Sequence, residues 1–394
     1  MSAPSWKAVY ALSLCTFTLI ASEFLPTSLL TPMAAGLAIT QGQAGELLAV
    51  SGGFAVISSL SVPSLSRTVN RRSLVLLLTG LMIVSGILVA WSPNLPCALI
   101  GRALLGVVVG GFWSISAALV MRLVPAQDVP RGLSLLNGGN ALATTVAAPL
   151  ASVLEPVIGW RGAFCMVVPL GGISLLALYR TLPSLPPQTQ HHSGSLVSIL
   201  RHRVVFFGFS AIGLVFIGQF ALFTYLRPFL EHITQASSMT VSLFLLLLGL
   251  SGIAGVWIGS RLFERFLTPC LVAIPALLAL IAIAMIIGGS SLGIMIPLVA
   301  LWGFIGTAAP AAWWTWLSRA LPNDAETGGG LMVALIQLTI AAGSTLGGLL
   351  LDHFSFSATF GMSALCLIGA ALLFLTTQRP QHEDRETHRS PPRP

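Results

Sequence analysis

The run AVYALSLCTFTLIASEFLPTSLL, from Ala8 to Leu30, decides the fold class. At 1.5 Å per residue such a helix rises roughly 35 Å, enough to cross a hydrocarbon core about 30 Å thick. Similar runs follow at Glu46 to Leu65, Leu74 to Ala90, Pro96 to Leu119, Leu133 to Leu154 and Ala163 to Tyr179. A second set lies at Val204 to Leu226, Met239 to Leu262, Cys270 to Ile287, Gly293 to Leu317, Leu331 to Leu351 and Ala358 to Leu375. They fill most of a chain of 394 residues that is 55% hydrophobic and 8% charged, where an ordinary soluble domain carries about 25% charge. The expectation is an all-α membrane protein of twelve transmembrane helices. The first run follows a single basic residue, Lys7, without a small-residue cleavage site, and reads as a retained span rather than a removed leader.

Orientation follows from the basic residues. With every second turn counted on the side of the N-terminus, that side holds Lys7, Arg67, Arg71, Arg72, Arg122, Arg131, Arg180, Arg201, Arg203, Arg261, Arg265, Arg319 and the four arginines of the tail. Only Arg102, Arg161 and Arg227 fall elsewhere. The positive-inside rule makes the rich side cytoplasmic, with both termini inside. The net charge of +7 is thus dispersed over short turns and forms no dense basic stripe, which argues against a nucleic-acid partner. The five cysteines are odd in number, lack metal-ligand spacing and read as small core residues.

The polar stretch Ser184 to Arg203, with its Pro186-Pro187 and His191-His192 pairs, reads as a cytoplasmic linker. It separates an N-terminal half, 1–183, from a C-terminal half, 204–377, and the charged, Pro-rich tail 378–394 is expected to be disordered. A shift of 196 to 197 residues superimposes the halves. Glu23-Phe24 with Pro32 matches Gln219-Phe220 with Pro228, Arg122 and Pro125 match Arg319 and Pro322, and Phe164 matches Phe360. Duplicated six-span halves are a transporter architecture. At the same shift Glu23 faces neutral Gln219 and Arg102 faces Val299, so ionisable chemistry belongs to the first half.

Glu23 lies well inside a span, and a charge at such depth costs at least about 2.5 to 3.5 kcal/mol on insertion scales. Arg102 is its counterpart in the fourth span. Both fall roughly 10 Å below the outer surface by the helical rise, so the two can meet. Burial opposes ionisation of a carboxyl and a guanidinium favours it; a pair exposed alternately to each side can therefore load and release a proton. A static structural ion pair is the plainer alternative. Gly106 and Gly110 share the face of Arg102 and Trp113, where they admit either a ligand or a closely packed helix.

Polar and aromatic residues suited to a midplane substrate site recur on the expected spans. They are Asn137, Asn140 and Thr144 on the fifth, Gln219, Phe220 and Phe223 on the seventh, Thr307, Pro310 and Trp314 on the tenth, and Gln337 with Ser344 on the eleventh. Trp113 adds a ring on the fourth. Amides read donor and acceptor edges and rings stack on planar ligands, a set suited to an uncharged polar molecule with a flat ring. The same amides can serve only to join helices, and Trp313, Trp316 and Tyr225 lie near enough to span ends to form an interfacial belt. The sequence contains no GxxxxGKS or GxxxxGKT loop, no HExxH and no GxSxG, so neither ATP hydrolysis nor a membrane enzyme is indicated. No metal, and no cofactor beyond the coupling proton, is expected.

These residues carry a resemblance. IGRALLGVVVGGFW (Ile100 to Trp113), APLASVLEPVIGWRGAF (Ala148 to Phe164) and EFLPTSLLTPM (Glu23 to Met33) make the chain similar to the major facilitator superfamily, and within it to the twelve-span drug-and-proton antiporter group. The fourth-span segment resembles the group's RxxxG motif, which implies a role for Arg102 in proton transfer. The fifth-span segment resembles the antiporter motif around a Gly-Pro, which implies export, with Ala148 in place of the Gly. The turn after the second span departs from the superfamily pattern GxLaDRxGRR: Pro63 stands at its first Gly, Arg67 at its Asp and Asn70 at its second Gly. The gating role of that Asp is not carried over. GQFALFTYLRP (Gly218 to Pro228) and WTWLSRALPNDAE (Trp314 to Glu326) resemble purine ribonucleoside efflux pumps, while sugar efflux transporters share the EFLP start. The resemblance implies a monomer in the bacterial inner membrane. It would export nucleosides such as inosine and guanosine against protons, with sugars or amphipathic drugs as alternative cargo.

Overall fold

A computed structural model describes residues 5–65, 68–186, 203–321 and 325–378. Most of the linker and all but the first residue of the tail, residues 187–202 and 379–394, lie outside the described residues. The described chain is helical, without strands. The first half consists of α1 (Trp6–Ser28), α2 (Leu30–Leu37), α3 (Gln41–Leu65), α4 (Arg71–Ala90), α5 (Leu95–Leu123) and α6 (Val129–Thr181). The second consists of α7 (Arg203–Thr224), α8 (Leu226–His232), α9 (Ser238–Gly288), α10 (Leu292–Ala320), α11 (Ala325–His353) and α12 (Phe356–Gln378).

Among the described residues, eleven apolar helical stretches are long enough to cross a bilayer. One of them, Arg131–Thr181, is 51 residues long and makes two crossings, so the crossings number twelve, as the hydropathy runs indicated. Its turn is compressed into a single non-helical residue, Gly159, at φ 70 and ψ 167, a left-handed conformation open to glycine without Cβ strain. α9 turns in the same economical way at Phe266 (φ −125, ψ 38). Two of the other turns close on side-chain caps. Asn70 accepts from the Arg72 N–H at the start of α4, and Asn94 accepts from the Cys97 N–H at the start of α5.

The internal repeat is visible in the backbone. α1 breaks at Leu29 (φ −117, ψ 14) and α7 at Tyr225 (φ −106, ψ 12), each three residues before a proline, Pro32 and Pro228. A proline ring crowds the carbonyl of residue i−4 and offers it no donor, so the helix bends there. The first and seventh crossings therefore run on through α2 and α8, beyond the ends read from hydropathy.

The first half packs around a core that includes Leu12, Met82, Phe112 and Leu178, the second around Phe216, Trp302, Trp313 and Phe360. They meet along two seams related by the repeat, α3 against α11 and α6 against α9. Gly52 and Gly249, 197 residues apart, make both seams possible. A methyl group on the first would lie 2.7 Å from the Gln337 carbonyl oxygen and on the second 2.8 Å from that of Thr145. Trp313 and Tyr225, read as belt candidates, are fully buried instead. Trp313 stacks on Phe374 at 5.1 Å, the Tyr225 hydroxyl donates to the Ser344 carbonyl at 2.7 Å, and Trp316 packs edge-on to Phe209 at 6.0 Å.

Candidate functional site

α1 carries Glu23 to the junction of the halves, where it is 4% exposed. Arg102, on α5, is fully buried beside it. The expected side-chain pair does not form. The Arg102 guanidinium donates from Nε to the Leu47 carbonyl at 2.9 Å, from Nη1 to the Ser22 carbonyl at 2.8 Å, and from Nη2 to the Glu23 carbonyl at 2.8 Å and Ser51 Oγ at 3.1 Å. It thus binds the backbone of Glu23 and not its carboxylate. The local sequence explains this. Pro26, four residues after Ser22, has no N–H to return to the Ser22 carbonyl, which is left for the arginine. Among the described residues, the ion pairs belong instead to Arg227, with Glu231 at 2.7 Å and Glu155 at 3.4 Å.

The Glu23 carboxylate is held from the other half. Gln337 Nε2, on α11, donates to Glu23 Oε1 at 3.2 Å. The neighbouring residue, Phe24, stacks on Phe220 of α7 at 5.9 Å and meets Phe223 edge-on at 6.4 Å, and the two α7 rings are 5.9 Å apart. Three rings from two halves therefore cluster one residue from the carboxylate. Gln219, at the repeat position of Glu23, donates from Nε2 to the Gly306 carbonyl at 3.2 Å. That carbonyl too is freed by a proline, Pro310, four residues on. Both glutamines keep a buried Oε1 without a hydrogen-bond partner.

The other sequence candidates are placed around this core. Trp113 is half-buried, edge-on to Phe112 at 6.3 Å, and packs with Ile20, Ala21, Ala143 and Ala147. Asn137 is exposed and Asn140 half-buried, and neither amide has a protein partner among the described residues. Trp314 lies apart from the ring cluster, beside Gly329, about 12 Å along α10 from Gly306 by the helical rise. Ser344 joins Thr224 at 3.1 Å and serves helix packing. So do Gly106 and Gly110, which lie against the carbonyls of Ser51 and Ala55 on α3.

One rim of the bundle holds Ser5, whose N–H donates to the Leu123 carbonyl at 2.9 Å and whose hydroxyl reaches the Thr181 carbonyl at 3.4 Å. At the opposite, distal rim the halves are pinned together. Arg227 joins Glu155 and also donates to the Ser28 carbonyl, which Pro32 has freed, while Thr31 donates to Glu231. Asp352 caps α3 by accepting from the Gly42 N–H at 3.0 Å and from Thr40 Oγ1. The bonds between the halves made by Thr31, Arg227, Asp352 and Gln337 all lie between this rim and the Glu23 level. These pins were not anticipated from the sequence, although the proline four residues beyond Ser28 was a usable signal. The third arginine that departed from the charge alternation, Arg161, also donates to a carbonyl, that of Ser92 at 2.9 Å, and lies over the Trp160 ring at 4.2 Å. All three exceptions are thus accounted for by backbone oxygens that need a donor.

Comparison with known proteins agrees with this architecture. Residues 12–343 match the Major Facilitator Superfamily. The chain is 50% identical over 379 residues to the transcription regulatory protein OpdE of Pseudomonas aeruginosa, covering 95% of this chain and 94% of that protein. It is 37% identical over 370 residues to the purine ribonucleoside efflux pump NepI of Salmonella paratyphi A, covering 94% and 93%. Among solved structures, a bacterial homologue of the lysosomal transporter Spinster, inward-facing and occupied, superposes with a TM-score of 0.79 at 16% identity over 96% of this chain and 98% of that one. A D-xylose–proton symporter gives 0.74 at 18% identity, covering 94% and 96%. Twelve crossings in two repeated halves and a match over most of the length make the chain a member of the Major Facilitator Superfamily, and a membrane transporter.

Proposed function

We propose that the protein exports purine ribonucleosides such as inosine and guanosine across the bacterial inner membrane in exchange for protons. The observation that carries this reading is the placement of Glu23: a buried carboxyl at the seam of two halves, one residue from a three-ring cluster and bonded across the seam to an amide. Alternating access by rocking of the halves would expose such a group to each side in turn. The similarity to proteins named purine ribonucleoside efflux pumps supports the cargo. So does the chemistry: rings for a planar base, and amide oxygens for its N–H and the ribose hydroxyls.

In this reading Glu23 carries the proton, and Arg102 acts as a positioning residue that fixes the α1 backbone beneath it. Phe220 and Phe223, with Phe24, stack on the base, and Gln219 and Gln337 accept from it. Trp113, Asn137, Asn140 and Trp314 line the approach from the rim opposite the pins. That rim is cytoplasmic by the positive-inside rule, and the protein works as a monomer without a further cofactor. The regulatory name of the Pseudomonas relative is compatible with carriage, since a carrier sets the concentration of whatever its cargo regulates.

The test uses purified protein in liposomes under an imposed proton gradient, with labelled inosine and a labelled sugar as cargo. Wild type should move inosine and leave the sugar; Glu23→Gln should bind inosine but lose the response to the gradient. Sugar movement alone would replace the substrate, and an intact gradient response in Glu23→Gln would remove Glu23 from the mechanism.

A further inference from the structure

The carboxylate of Glu23 has one hydrogen-bond donor among the described residues, Gln337 Nε2, and that bond crosses from one half to the other. The charged group that faces Glu23, Arg102 on α5, has its donors on the carbonyls of Leu47, Ser22 and Glu23 and on Ser51 Oγ, so it stabilises the carboxylate only through space. No other ionisable side chain bonds to Glu23 among the described residues. The opposite end of the same amide is conspicuous for the reverse reason. Gln337 is 6% exposed, yet its Oε1 is buried without a partner.

An ionised carboxylate can only accept, whereas a protonated carboxyl can also donate, and an amide offers a donor at one end and an acceptor at the other. With Glu23 ionised, the Gln337 amide must turn its NH2 to the carboxylate, which leaves Oε1 free. With Glu23 protonated, the amide is free to turn by half a rotation, accept a hydrogen bond from the carboxyl O–H on Oε1 and leave its NH2 free. Either arrangement keeps one bond to Glu23. What changes is the group left over.

We propose that Gln337 reads the protonation state of Glu23 and presents it to the substrate, as an acceptor when the carboxyl is ionised and as a donor when it is protonated. This rests on the reading of Glu23 as the proton site and supplies the step that couples it to cargo. Gln219 is the fixed counterpart: its NH2 is held by the Gly306 carbonyl, which cannot change state, so its Oε1 is an acceptor throughout. A neutral ligand with N–H or O–H donors therefore finds two acceptors when Glu23 is ionised. When Glu23 takes a proton from solution, the same ligand finds one acceptor and one opposing donor, and leaves. The proton and the ligand exclude one another without sharing an atom, as exchange of one for the other demands.

The experiment is equilibrium binding of labelled inosine to the purified full-length protein across a range of pH, for wild type, Glu23→Gln, Gln337→Met and Gln337→Asn. Methionine keeps the volume of Gln337 without its hydrogen bonds, and asparagine keeps the amide but withdraws it from α1. Wild-type affinity should fall roughly tenfold or more as Glu23 is protonated, the consequence of exchanging a hydrogen bond for an unpaired donor. Both Gln337 variants, with Glu23 intact, should bind more weakly and show little of that dependence. Full pH dependence in either Gln337 variant, with a flat response in Glu23→Gln, would overturn the role of Gln337 alone. A pH dependence that survives Glu23→Gln would overturn the reading of Glu23 together with it.

Discussion

Glu23 with Arg102 in the first half, and Gln219 with Val299 in the second, stand at corresponding places of one repeat, yet the two sites are built from opposite chemistry. Both sites draw on the same backbone defect. In the first half Pro26 frees the Ser22 carbonyl and a guanidinium takes it together with two further carbonyls and a hydroxyl. In the second half Pro310 frees the Gly306 carbonyl and a neutral amide takes it alone. Val299, at the place of Arg102, is a fully buried apolar residue. Under the proposed function this difference separates the tasks: the first half holds the carboxyl that would titrate, and the second holds amides and rings suited to a neutral ligand.

The largest expected effect tests whether Arg102 is a structural donor or a partner of the carboxylate. Arg102→Leu leaves the Ser22 carbonyl, deprived of its helical donor by Pro26, unpaired in the interior at about 1–3 kcal/mol, and also removes the second donor of the Leu47 and Glu23 carbonyls and the packing of a fully buried side chain, so the folded protein should be severely destabilised. Val299→Ala, the repeat counterpart, removes only apolar contact and should cost no more than about 2 kcal/mol. Thermal unfolding of both variants in detergent compares them. Similar losses would break the contrast between the halves, because it would mean that the carbonyls find other donors once the arginine is gone.

An intermediate effect is expected at the rims. The distal rim is pinned between the halves by Arg227 and Asp352, contacts that rocking of the halves would have to break to open that side, so these groups favour the pinned state. Arg227→Gln removes both ion pairs and leaves the Ser28 carbonyl in want of a donor, roughly 2–3 kcal/mol against the pinned state, and should shift the population by about thirty- to a hundred-and-fiftyfold. Asp352→Asn, which keeps a side-chain oxygen for the Gly42 N–H, should shift it less. A cysteine replacing Glu46 near the distal rim should then react faster with an impermeant thiol reagent, and one replacing Asn137 near the other rim more slowly. Faster reaction at both positions would mean that the pins hold the fold together rather than select a state.

Much of this was legible in the sequence. The apolar runs, the two halves and the shift between them follow from hydropathy and from Pro32 and Pro228, and the proximity of Glu23 to Arg102 followed from their equal depth. The atom that Arg102 binds did not. Spacing along a helix places Cα atoms at a common level but says nothing about which carbonyls have lost their helical donors, and a proline four residues on, at Ser22, Ser28 and Gly306, was the signal to follow. Trp313 and Tyr225 misled for a related reason: a distance from a span end fixes depth, not which face of the helix points into the bundle. Nothing near Asp352 or Glu231 in the sequence points to their bonds across the seam, because Thr40, Gly42 and Thr31, from which they accept, come from the other half of the chain.

The smallest effect sharpens the comparison most, because it asks whether the proline and the arginine answer one another. Pro26→Ala restores an N–H four residues after Ser22, so the Ser22 carbonyl regains a helical donor and no longer depends on Arg102 Nη1. Alone the substitution should change stability by no more than about 1 kcal/mol, since it exchanges one hydrogen bond for another. In the background of Arg102→Leu, or of Arg102→Lys if the leucine variant does not fold, it should recover about 1 kcal/mol, the value of pairing one buried carbonyl. The two substitutions are then non-additive in the stabilising direction, as expected of groups that share an acceptor. Strict additivity in the melting temperatures would mean that Ser22 is satisfied some other way and that Pro26 shapes the helix for a different purpose.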